Sequence, residues 1–284
     1  MLKSLQKAFK VKEVRDRLLY TFMMLVVIRI GCCLPIPGVD PSYLHDFFSN
    51  LQNSGMGFFN AITGGSFSSM SIFALSITPY ITSSIIMQLL TIAIPKLEEM
   101  QKDGEDGRKK IAEYTRYLTV GLALFESCAM AVGLGGKGLL LEDHRNVWGY
   151  LTVVAAMTAG SALLMWIGER ITDNGVGNGI SIVLLINIVS GTPQDMITLY
   201  ERFMAGKSVA VATVACIIVL AIIIAIVVFV LVLNDAERRI PVQYAKKMQG
   251  RKMVGGQSTN IPLKVNTAGV IPVIFASSLM SFPG

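Results

Sequence analysis

Apolar residues in this chain fall into long runs, and nearly all of the charge is gathered in the loops between them. Runs of membrane length, or close to it, cover 18–34, 72–94, 117–134, 148–167, 180–190, 209–233 and 266 to the end. About 20 apolar residues at 1.5 Å each cross ~30 Å of hydrocarbon, so the pattern predicts seven spans. Segment 209–233 contains no charged residue and is the clearest. Segment 180–190 is short, is interrupted by Gly191-Thr192-Pro193, and leads into 195–204, which reads as a surface amphipathic helix. A short or broken helix among spans points to a cavity wall.

One run is too polar for a lipid-facing helix. Segment 71–95, SIFALSITPYITSSIIMQLLTIAIP, carries Ser76, Thr78, Thr82, Ser83, Ser84, Gln88 and Thr91 around Pro79. So many hydroxyls suit a span that packs on other helices or borders water. It is expected to be a pore-lining helix, with a short glycine- and phenylalanine-rich element at 55–69 folded in front of it.

Composition agrees with the pattern. With 52% hydrophobic and 15% charged residues in 284, the chain reads as an all-α polytopic membrane protein. The net charge of +6 would suit nucleic acid, but its distribution argues otherwise. Lysine and arginine number six before the first run, none across 35–70, and six across 96–116. Two, one, two and seven follow in the later loops, so alternate loops hold 20 on one side and 4 on the other. That is the positive-inside pattern of a multi-pass membrane protein with a cytoplasmic N-terminus. Residues 1–17 are basic and mildly amphipathic, a topology-setting flank or a segment lying on anionic lipid. Pro35 and Pro37 stand where a signal-peptide cleavage site would lie, so the first run is expected to be retained.

Little in the sequence suggests catalysis. Cys32, Cys33, Cys128 and Cys216 all lie in apolar runs without metal-ligand spacing. His45 and His144 lie in separate outer loops, and neither GxSxG nor HExxH occurs. The G-x-G-x-x-G at 133–138 follows an apolar helix rather than a strand, which reads as a flexible turn. No cofactor and no enzymatic activity are expected. Two charges fall inside runs. Arg29, near a helix end, is either functional or snorkels to the interface, whereas Glu126, in mid-run, has no such escape.

The loop 96–116 mixes both charges and reads as a solvated connector. In 234–265, Ile240, Val242 and Tyr244 alternate with other residues, and Ile261, Leu263 and Val265 do the same. A basic, glycine-containing tip lies between them, so a protruding hairpin is expected, with charge suited to a polyanionic partner.

An internal echo sets Ile77-Thr78-Pro79-Tyr80-Ile81 over Val270-Ile271-Pro272-Val273-Ile274. The loop preceding the first is cation-free and outer, and the loop preceding the second is basic and inner. Opposite orientation of matching spans is the mark of inverted repeats. A five-span repeat would leave the second copy incomplete at Gly284, as in part of a ten-span protein.

At these residues the chain resembles the SecY family, the central subunits of bacterial protein-conducting channels. The matching stretches are RIGCCLPIPGVD, SIFALSITPYITSSIIMQLL, GEDGRKKIAEYTRYLT, LMWIGERIT, GVGNGISIVLL, ERRIPVQYAKKMQGRK and STNIPLKVNTAGVIPVIFASS. The resemblance implies a fold of two inverted five-span halves, 18–200 complete and 201–284 begun. It implies a pore ring at Ile77, Ile81, Ile180, Leu184 and Ile274. It implies a plug over about 57–68, including Gly57, Phe58, Phe59, Ile62, Gly64, Gly65 and Phe67, and a lateral gate with polar positions Thr82, Glu126 and Asn266. Docking of the ribosome or the SecA motor ATPase is implied for Arg238, Arg239, Lys246, Lys247, Arg251 and Lys252. SecE and SecG subunits, signal sequences, unfolded or nascent polypeptides and membrane lipids are the further implied partners. A secondary transporter would share the repeats and broken helices, but it would hold several intramembrane charges for coupling ions, where only Glu126 and Arg29 qualify.

Overall fold

The computed structural model describes residues 11–40, 60, 63–135, 138, 140–141, 145–206, 208–242, 247–249, 252–254, 259–267, 269, 272 and 276. They form helices α1 (Lys12–Cys33), α2 (Thr78–Ala93), α3 (Pro95–Lys102), α4 (Glu105–Leu134), α5 (Val147–Asn174), α6 (Gly179–Phe203) and α7 (Val209–Asp235). Strands β1 (Glu237–Val242), β2 (Lys247–Gln249), β3 (Lys252–Val254) and β4 (Thr259–Lys264) follow. The chain divides into two compact units, one holding the described residues up to Pro193 and the other Gln194–Ala276.

Helix ends follow local chemistry. α1 stops at Leu34, which is extended ahead of Pro35, because the residue before a proline is pushed out of the helical region. α2 starts with Pro79 in its first turn, where the missing N–H would have no partner anyway. α3 opens on Pro95, and the chain bends by 102° between the two. α4 starts after Gly104, whose φ is +84°, and Glu105 and Asp106 in its first turn suit the positive end of the helix dipole. Asn178 Oδ1 caps α6 by accepting from the N–H of Ile180 at 3.0 Å and of Ser181 at 3.4 Å.

In the first unit α4 packs along α5 and against α2, and α1 packs on α5. Two apolar clusters result. One gathers Ile36, Val39, Phe67, Met70, Leu75, Leu140, Val153 and Met157. The other gathers Ile28, Phe73, Ile77, Leu164, Ile167, Ile171 and Val183. Glycines let backbones touch, as in other helix bundles of low polarity. A β-carbon at Gly160 of α5 would land on the Ile72 carbonyl, and one at Gly179 on the Gly168 carbonyl.

The structure departs from the sequence reading at two places. Segment 71–95 is not one helix. Residues 71–77 form turns closed by Ala74 N–H to Ser71 O (2.9 Å) and Ser76 N–H to Phe73 O (2.8 Å). They are tied to the end of α1 by Ile72 N–H to Leu34 O at 3.0 Å. The 16 residues of α2 reach only about 24 Å at 1.5 Å each. Second, α6 continues through Pro193, although a proline inside a helix removes one N–H and crowds the carbonyl of the preceding turn. It therefore absorbs the expected separate helix at 195–204. The connector 96–116 is mostly exposed and largely helical, supported by Lys102–Glu98 at 2.6 Å and Lys109–Glu105 at 3.4 Å, both at i,i+4. The Lys102 hydrogen bond holds the Glu98 carboxyl below the usual carboxylate range.

Among the described residues α5, α6 and α7 are long and apolar enough to cross a membrane, and the bent pair α2–α3 makes a fourth if counted as one span. The expected seventh span lies mostly outside the described residues. In the second unit the expected hairpin forms: β1 pairs antiparallel with β4, Ile240 opposite Ile261, and β2 pairs with β3 toward the tip.

Candidate functional site

The convergence of apolar side chains at the start of α2 and the start of α6 is the site to explain. Ile77 is fully buried, and Ile81, one turn on, is half-buried against the same cluster. Ile180 and Leu184 occupy the equivalent i,i+4 pair on α6 and pack on that cluster too. Ile77 caps α2 and Ile81 lies in its first turn, while the i,i+4 spacing puts Ile180 and Leu184 on one face of α6, so the starts of the two helices bring four branched aliphatic side chains to one apolar locus. Ile274 lies outside the described residues.

The turn that delivers Ile180 is pinned from several sides. Thr172 Oγ1 accepts from the Gly179 N–H at 2.9 Å and donates to the Gly168 carbonyl at 3.0 Å. From α1, Arg17 Nη1 donates to the Gly175 carbonyl at 3.4 Å, and Thr21 Oγ1 accepts from the Val176 N–H at 3.2 Å. Tyr80, Arg116, Glu169, Thr172, Asp173 and Asn178 form a polar depression next to Ile180. Across it Arg116 Nε donates to Glu169 Oε1 at 2.8 Å, joining α4 to α5.

On the other side of Ile77 lie the turns 63–77. Phe67 is buried in the first cluster, and Asn60 organises the segment. Its carbonyl accepts from the Gly65 N–H at 3.0 Å, and its Oδ1 from the Ser68 N–H at 3.1 Å. Gly64 and Gly65 have φ of +66° and +80°, which glycine adopts without strain. Gly57, Phe58, Phe59 and Ile62 lie outside the described residues.

Of the polar candidates, Thr82 on α2 is buried and its hydroxyl has no partner, whereas Glu126 on α4 is half-buried. The next residue, Ser127, shares a hydrogen bond with Thr158 of α5 at 3.0 Å. Asn266 belongs to the second unit, is exposed, and accepts from the Gly269 N–H at 3.1 Å. Arg29 keeps one guanidinium nitrogen buried and without a partner, so its head is not wholly in solvent. Arg238 and Arg239 lie on β1 and Lys247 and Lys252 on β2 and β3, while Lys246 and Arg251 lie outside the described residues.

Sequence reasoning passed over Asn187 on α6, buried and donating from Nδ2 to Ser76 Oγ at 3.0 Å. Its signal was a lone amide in the apolar run ISIVLLINIVS. The Arg116–Glu169 and Thr21–Val176 contacts left no local signal, because their partners stand 53 and 155 residues apart.

The SecY family model matches residues 71–284. The chain belongs to the SecY family. A SecY-family protein translocase subunit of Halalkalibacterium halodurans is 44% identical over all of this chain and 66% of its own length. The chain thus spans just under two thirds of that relative. The fold is that of the SecY/Sec61 channels. A SecY structure described for its plug domain, which stabilises the closed state of the translocation channel, superposes with a TM-score of 0.55 at 20% identity, covering 94% of this chain and 56% of that one. Canine Sec61, solved in a ribosome–channel complex of the endoplasmic reticulum, gives 0.51 at 20% identity, covering 94% and 57%. In SecY-family terms, Ile77, Ile81, Ile180 and Leu184 are four side chains on one apolar cluster, with the turns 63–77 adjoining them.

Proposed function

We propose that this chain is the channel-forming subunit of a membrane protein translocase and not an enzyme. It passes unfolded secretory polypeptides across the cell inner membrane, with its own N-terminus in the cytoplasm. Ile77, Ile81, Ile180 and Leu184, with Ile274, form the collar, and the segment 57–68 is the plug. The gathering of the four described collar residues on one cluster carries this reading. A narrow apolar collar excludes ions by dewetting, and branched aliphatic side chains yield around a passing chain. Thr82, Glu126 and Asn266 line a lateral gate that releases transmembrane segments to lipid. The basic hairpin docks the ribosome or SecA, and SecE and SecG complete the assembly.

A photo-crosslinker at Ile81, in membranes holding a stalled secretory precursor, tests this. Crosslinking to the precursor that depends on a functional signal sequence is expected. Labelling of lipid or neighbouring helices alone, with the precursor engaged elsewhere, would overturn it.

A further inference from the structure

An apolar collar does not explain the contact just in front of it. Ser76 immediately precedes Ile77, and its backbone is left-handed, with φ of 53°. A serine rarely takes that conformation, since its β-carbon crowds the carbonyl. At 1% exposure, its hydroxyl must also find a partner inside the protein. Asn187 of α6 supplies one, donating from Nδ2 at 3.0 Å while itself only 1% exposed.

The backbone of the same asparagine meets the other end of the turn segment. A β-carbon at Gly64 would lie 2.7 Å from the Asn187 carbonyl oxygen and 2.9 Å from Ser190 Oγ, which donates to that carbonyl at 2.7 Å. One residue of α6 thus touches the segment 64–76 near both of its ends. Asn187 Oδ1, meanwhile, is buried without a partner. A leucine would fill a similar volume with no unpaired acceptor, so an amide is disfavoured here unless its donor end is needed.

We propose that Asn187 is the positioning residue of the closed state, a polar catch that holds the segment 64–76 against α6 through Ser76. This rests on the reading of that region as plug and collar. Asn187 lies seven residues, about two helical turns, beyond Ile180 on one helix. A shift of α6 that widens the collar therefore also draws Asn187 from Ser76. Parting them strands an amide and a hydroxyl in an interior with few other partners, which favours two discrete positions of the segment over a continuum. A polypeptide backbone entering the pore offers N–H groups to the idle Oδ1 and so compensates the open position.

The test is resting ion conductance of the full-length protein, assembled with its partner subunits in a planar bilayer. Asn187→Leu is expected to raise it about fivefold, the factor that ~1 kcal/mol, one neutral hydrogen bond, makes in a closed–open equilibrium. Ser76→Gly removes the hydroxyl but suits the left-handed backbone, and in that background Asn187→Leu is expected to add little. If Asn187→Leu fails to assemble, Ser76→Ala, which keeps the β-carbon and loses the acceptor, takes its place with the same expected rise. Parental conductance in the assembled variants, or a double variant whose rise is the product of the single ones, would overturn the catch. Ile81 crosslinking separates the layers. A parent that crosslinks precursor while the variants leave conductance unchanged loses only the catch, whereas a parent that does not crosslink loses the channel reading and the catch with it.

Discussion

Thr21 Oγ1 on α1 accepts the backbone N–H of Val176 at 3.2 Å, across 155 residues of chain, while its own hydroxyl donates to the Arg17 carbonyl at 2.9 Å. The first helix thus holds the turn from which Ile180 starts. Thr21→Val keeps the shape and leaves the N–H unpaired, at a cost of about 1 kcal/mol. A lower thermal midpoint and faster proteolysis across 173–178 are expected, with Thr21→Ser close to the parent in both.

Two glycines of α5 are expected to behave oppositely. At Gly160 a β-carbon would strike the Ile72 carbonyl, and forcing such contacts costs about 1–3 kcal/mol. At Gly168 it would lie 3.4 Å from Ile180 Cγ1 and 3.5 Å from Ile77 Cδ1, an ordinary contact, and alanine there gains roughly 0.5–1 kcal/mol of helix preference. Thermal unfolding of Gly160→Ala and Gly168→Ala should therefore move in opposite directions.

The Arg116–Glu169 pair is partly solvated, with side-chain exposures of 49% and 24%. Such pairs contribute about 0.2–1 kcal/mol. Glu169→Gln is expected to lower stability by no more than that at low salt and less at high salt. Exchanging the two charges should recover most of the loss, and unfolding at about 50 mM and about 500 mM salt, between which the screening length shrinks roughly threefold, would read it.

Reversing Arg238 and Arg239 to glutamate on β1 is expected to weaken docking of a ribosome or motor without altering hairpin formation, because both residues are exposed. Co-sedimentation should show the deficit most strongly at low ionic strength, where charge attraction is least screened.

Much of this architecture can be read from the chain. The uncharged run 209–233 is α7, and the alternation of Ile240 with Val242 and of Ile261 with Leu263 marks two strands that do pair. Other features depend on partners far away in sequence. Nothing local in 71–95 records that Ile72 bonds to the end of α1, and Pro79 opens a helix there instead of kinking one. Gly191-Thr192-Pro193 looks like a break, yet α6 continues through it. Asn187 is informative only beside Ser76, 111 residues away.

The prolines of the hairpin have a consequence of their own. Pro241 stands opposite Asn260 and Pro262 opposite Arg239, two residues apart along the ladder and so in the same pairing class. A proline fits a strand only where its missing N–H would point away from the partner strand. Each outer rim therefore lacks a donor near its middle. A ribbon of this kind is a poor template for an added strand, so side chains rather than backbone edges are its expected means of binding a partner.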